Sequence, residues 1–144
     1  MDIQASTVIN ASRETVFAFF ADFPESAKVL HNAFRTDFES SNTTGLGAEW
    51  IQHDESPERP VVARHKVIAF DAPATYTMTS DDKRSFETMV FRFDGDAIRT
   101  RVTFDLTIKP KGLFLTIFLF ALKSMVRGAM REDLERMKNA IESQ

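Results

Sequence analysis

The sequence predicts an α+β domain: a curved antiparallel sheet of about seven strands wrapped around one long C-terminal helix, with two short helices after the first strand. Three observations carry this. Segments between Phe34 and Ile108 alternate apolar and polar residues with period two, as strands exposed on one face do. From Leu113 to Ile141 the apolar residues instead recur at steps of three and four. No repeat, low-complexity tract or Pro/Gly/Ser linker divides the 144 residues, so 1–144 is read as one domain.

Ile3 to Asn10 carries the β-branched run of a first strand. Ser12 is placed to cap a helix holding Val16, Phe17 and Phe20 at helical spacing, although Thr15 does not complete a capping box. A second short helix starts at Asp22 with Pro24 in its first turn, where proline removes no needed hydrogen bond. Phe34 to Ser40 alternates as a strand, Thr44-Gly45-Leu46-Gly47 punctuates, and Ala48 to His53 is the next strand. Ser56 to Pro60 reads as a loop. A meander follows: Val61 to Phe70, a turn at Asp71-Ala72-Pro73, Thr75 to Thr79, Arg84 to Phe93, a hairpin turn at Asp94-Gly95-Asp96, and Ile98 to Ile108. In that last strand Ile98, Thr100, Val102, Phe104, Leu106 and Ile108 share the face expected to be buried. After Pro110-Lys111-Gly112, one helix is expected over Leu113 to Ile141, with an apolar stripe from Leu119 through Val126, Met130 and Leu134 to Ile141. At ~1.5 Å per residue it would be roughly 40 Å long, enough to cross a sheet.

Composition narrows the function classes. Fourteen Phe against one Tyr and one Trp put large apolar area into the chain without polar handles, so the interior is a very dry core or a greasy cavity. With no cysteine, disulfides, thiolate chemistry and Cys-based zinc sites are excluded, which fits a reducing cytoplasm. A net charge of −3 argues against nucleic acid as a partner. Met1-Asp2-Ile3-Gln4 opens acidic and polar, unlike a secretory signal, and a cytoplasmic location is expected. Gly45-Leu46-Gly47 lacks the third glycine and the strand-to-helix setting of a phosphate loop, and no serine nucleophile elbow is present.

The order of these signals resembles the START-like, or helix-grip, superfamily (SRPBCC), which includes polyketide cyclase/dehydrase-like and lipid-transport proteins. The residues that carry the likeness are Val8-Ile9-Asn10-Ala11-Ser12-Arg13-Glu14-Thr15-Val16-Phe17 with Ala21-Asp22-Phe23, then Gly45-Leu46-Gly47, Phe70-Asp71-Ala72-Pro73 and Phe91-Arg92-Phe93-Asp94-Gly95. The helix ending in Asp133-Leu134-Glu135-Arg136-Met137-Lys138 adds to it. The resemblance implies a cavity between helix and sheet for apolar or aromatic small molecules, lipids or quinones. It implies no shared catalytic motif, and a fold does not set a function.

Two titratable residues stand out as candidates for catalysis. His65 alternates with Ala63, Val67 and Ala69 while Arg64 and Lys66 take the other face, so His65 is expected to point inward. Glu87 shares a face with Met89, Phe91 and Phe93, and a carboxylate there would be partly desolvated and able to act as a base or pair with His65. The competing readings are a core histidine satisfied by a carbonyl or water, and a glutamate reaching solvent at a strand end. His31 and His53 have no metal-ligand spacing, and neither metal nor cofactor is expected. Trp50 and Tyr76 can each pack a ring while turning N–H or O–H toward a ligand. Met78, Met89 and Met125 suit an adaptable pocket wall, and Phe91, Phe104 and Phe118 complete the expected lining.

Leu113 to Leu122 is apolar all round its helix yet too short to cross a bilayer, which takes ~20 residues. A buried helix start, a gate at the cavity mouth, a dimer contact and a peripheral membrane contact, flanked by Lys111 and Lys123, are its alternatives. The functional expectation is binding or carriage of a small hydrophobic or aromatic molecule or lipid by a monomer or homodimer. The alternative is a cyclase- or dehydratase-like enzyme using His65 and Glu87 as acid and base.

Overall fold

The computed structural model describes residues 1–30, 34–54 and 61–144; His31 and the expected Ser56–Pro60 loop lie outside the described residues. Seven strands form one antiparallel sheet: β1 Asp2–Ile9, β2 Phe34–Phe38, β3 Glu49–Asp54, β4 Val61–Asp71, β5 Thr75–Asp81, β6 Ser85–Gly95 and β7 Thr100–Pro110. Their order across the sheet is β1-β7-β6-β5-β4-β3-β2, so the meander from β2 to β7 closes by pairing its last strand with the first. Helices α1 (Arg13–Ala21) and α2 (Phe23–Ser26), with a 3-10 turn at Ala27–Val29, follow β1; α3 (Leu113–Ala121) and α4 (Lys123–Glu142) follow β7. This is the helix-grip architecture the alternation predicts: α4 lies against the inner face and β1, burying Met130, Leu134, Met137 and Ile141.

Local chemistry places the elements. The Ser12 hydroxyl accepts the Thr15 N–H at 3.2 Å and starts α1, whose Val16, Phe17 and Phe20 turn onto the sheet. Phe17 and Phe20 meet Phe93 edge-on, while Tyr76 stacks on Phe91 and Phe91 on Phe104. The phenylalanine excess is thus partly the dry core beneath α1. The Tyr76 hydroxyl, buried in that core, donates to the Phe20 carbonyl at 2.8 Å and ties α1 to β5.

Three details depart from the sequence reading. The single helix from Leu113 to Ile141 is two helices, bent by 70° at Leu122. No proline or glycine marks the break: α4 follows the sheet and β1 while α3 keeps to the end of β7, so tertiary contacts turn the chain. The last strand starts at Thr100, not Ile98, and Ile98 is 75% exposed. Asp96 is the cause, because its carboxylate accepts the N–H groups of Ile98 and Arg99 at 2.8 and 3.0 Å and spends them in the turn. Finally, a bulge between Val67 and Ala69 ends the inward phase of β4 at Val67, leaving Ala69 exposed and bringing Phe70 edge-on to Phe17.

Candidate ligand-binding site

Between the inner sheet face, α2 and α4 lies a cavity of about 320 Å³. Its apolar walls are Met89, Phe91, Phe104 and Leu106 from the sheet, Phe23, Ala27 and Leu30 from the α2 region, and Val126, Met130, Leu134 and Met137 from α4. Each sheet residue is there because β6 and β7 turn every second side chain inward, and Met89↔Leu106 and Phe91↔Phe104 are directly paired. Ala129 lines the cavity and is also exposed, so an opening lies beside it.

Most polar groups of the cavity lie together on the sheet, with Asp133 of α4 apart from them. His65, Ser80 and Glu87 are successive partners in the ladder across β4, β5 and β6, so their side chains form one row on the inner face. Trp50 is the next member of the row on β3, and its indole stacks on the His65 ring with centroids 5.3 Å apart. Phe23 covers the same imidazole at 5.8 Å. Gln52, two residues beyond Trp50 on the same face, adds an amide to the lining. With strands ~4.8 Å apart, the backbones of His65 and Glu87 are roughly 10 Å apart across the sheet, with Ser80 between them.

This row is short of partners. Nδ1 of His65, Oε1 of Gln52 and Nε1 of Trp50 are buried with no hydrogen-bond partner among the described residues. Buried polar atoms are nearly always paired, and two of these three orphans, on His65 and Gln52, belong to residues that line the cavity. Burial drives the His65 pKa down to about 4, against a smaller opposing pull from Asp82, so the imidazole is neutral at pH 7. Burial pushes the Glu87 carboxyl up, helped by the Asp82 charge and opposed by the Ser85 hydroxyl, which reaches it at 3.5 Å. The row therefore offers a neutral imidazole, a hydroxyl, an amide and a carboxyl that holds its proton more tightly than usual.

Five of the sequence-selected residues, His65, Glu87, Met89, Phe91 and Phe104, meet in this lining. Trp50 stands behind His65, and Tyr76 and Met78 are packed in the core outside the lining. Phe118 and Met125 stand at the surface, 51% and 63% exposed, because α3 leaves the sheet and Met125 lies on the outer side of α4. Ser80 and Gln52 were not selected from the sequence. Extending the alternation of Tyr76 and Met78 by two residues, and that of Trp50 likewise, would have reached both.

A family model described as "Polyketide cyclase / dehydrase and lipid transport" matches residues 1–142. The chain belongs to that family. Within the START-like superfamily, this family's fold is the one described above, and solved structures repeat it over nearly their whole length. A START superfamily protein from Mycobacterium smegmatis is 16% identical with a TM-score of 0.67, covering 99% of this chain and 94% of its own. Ara h 8.0201 is 13% identical with a TM-score of 0.75, covering 100% and 99%. A truncated norcoclaurine synthase from Thalictrum flavum is 11% identical with a TM-score of 0.69, covering 100% and 94%. Identities this low speak for the fold alone. No curated protein matches the chain in sequence.

Proposed function

We propose that this protein binds, and carries, a small hydrophobic molecule that bears a polar group. The observation that carries the reading is the cavity itself: mostly apolar walls and a row of partly unpartnered polar atoms on the sheet. Aromatic and thioether walls take up an apolar or aromatic body, and the His65–Ser80–Glu87 row holds its polar end. The family's description, with its lipid-transport members, supports the same class of ligand.

The test is direct. An apolar fluorescent probe is expected to bind at one site per chain, and Met89→Trp, which pushes an indole into the cavity, is expected to weaken it about tenfold or more. Equal binding by the wild type and a folded Met89→Trp variant would rule the cavity out as the site. Native mass spectrometry of the purified protein identifies any co-purifying molecule.

A second reading, catalysis by His65 and Glu87, is favoured by one fact: both line the same cavity with shifted proton affinities. The two readings separate on the recovered ligand. Incubation with the protein leaves it unaltered in the binding reading, and converts it, with loss of conversion in Glu87→Gln, in the catalytic one.

A further inference from the structure

Helix α3 is unlike the rest of the molecule. None of its nine residues is buried, and its outermost rings, Phe114 and Phe120, are 84% and 79% exposed. Leu113, Ile117 and Phe118 are exposed as well, while Leu115 and Leu119 are half-buried on the opposite side, so the exposed rings and aliphatic chains form one broad apolar face. Thr116 is its sole polar side chain, and that hydroxyl donates to the Gly112 carbonyl at 2.8 Å. The helix can thus leave water without stranding a side-chain donor.

Charge points the same way. Between Asp105 and Glu132 the chain carries Lys109, Lys111, Lys123, Arg127 and Arg131 and no acidic residue, in a protein whose net charge is −3. Lys109 and Lys123 bracket α3 at its two ends; Lys111, also beside it, is paired with Asp81 at 2.5 Å. An apolar helix framed by basic residues is complementary to an anionic lipid surface. At ~1.5 Å per residue α3 is about 14 Å long, too short to cross a hydrocarbon layer of ~30 Å. The 70° bend lets it lie along a surface while α4 stays against the sheet.

We propose that α3 is a membrane-docking helix, which inserts its phenylalanines into the interface of an anionic bilayer while Lys109 and Lys123 meet the headgroups. The proposal stands on α3 alone and does not require the cavity to hold a ligand.

Flotation of the full chain with vesicles tests it. Binding is expected to phosphatidylcholine vesicles that contain phosphatidylserine, weaker binding to phosphatidylcholine alone, and weakening with salt. Phe114→Glu/Phe120→Glu is expected to lower the bound fraction about tenfold with an unchanged melting temperature, since neither ring is part of the core. Lys109→Gln/Lys123→Gln, which leaves the apolar surface intact, is expected to remove only the preference for anionic vesicles. Absence of flotation with either vesicle would overturn the proposal. So would a dimer in sedimentation velocity that Phe114→Glu/Phe120→Glu dissolves while vesicles capture nothing.

Discussion

His65 shows how one residue couples burial to pH. Its ordinary value is 6.5, and burial between Trp50 and Phe23 lowers it to about 4. Between those values the unfolded chain takes a proton that the folded chain refuses, so stability present above pH 6.5 is lost as the pH falls toward 4. The loss is about 3 kcal/mol. His65→Phe is expected to flatten the dependence of denaturation midpoint on pH across that window, and an unchanged slope would count against the burial of a neutral imidazole. Glu87 works in the opposite sense. Its raised value favours the folded state while the carboxyl is protonated, and that contribution disappears as the pH rises through the folded pKa. Glu87→Gln should therefore stabilise the protein at pH 7, with the gain vanishing below the ordinary value of 4.5. The inward direction of both residues was legible from their neighbours, since Arg64 and Lys66 flank one and Met89 and Phe91 continue the face of the other. That Ser80 stands between them was not, because ladder register joins residues far apart in the chain.

At the scale of elements, the hairpin between β6 and β7 is held by small local devices. Gly95 pairs with Thr100, and a Cβ at Gly95 would stand 2.2 Å from the Arg99 carbonyl oxygen and 2.7 Å from the Thr100 Cα. Those are backbone atoms that no rotamer change can move. Gly95→Ala is expected to cost about 1–3 kcal/mol in chemical denaturation, and a loss below half of that would mean that the turn yields. The Asp96 carboxylate, held below its ordinary range first by the Ile98 N–H and then by the Arg99 N–H, closes the same turn. The Asp94-Gly95-Asp96 signal fell slightly early: Asp94 and Gly95 end β6, paired with Arg101 and Thr100, and the turn runs from Asp96, held by those side-chain bonds. The break at Leu122 had no local sign at all. The apolar stripe through Leu119, Leu122 and Val126 passes the bend without interruption, and only the separate packing of α3 and α4 reveals it.

For the molecule as a whole, the fourteen phenylalanines fall into different environments: the dry core under α1, the cavity wall and the exposed surface of α3. The walls of the cavity come from β3 to β7, the α2 region and α4, so a molecule filling it touches both the sheet and the helices that cover it. A probe at one hundred times its Kd should stabilise the fold by about 2.7 kcal/mol. In a thermal melt this is a rise in Tm of roughly 10 °C, and an unmoved Tm at saturation would exclude the folded cavity as its site.

The sequence by itself determined the α+β class, the one-sided strands, the amphipathic end of the last helix and the inward direction of His65 and Glu87. These follow from periods of two and of about three and a half residues, which record the buried face of each element. The tertiary structure decided the polar row across three strands, the bulge that exposes Ala69 and the bend that frees α3 from the sheet. Register and bends depend on contacts between segments distant in the chain, and no local pattern carries them.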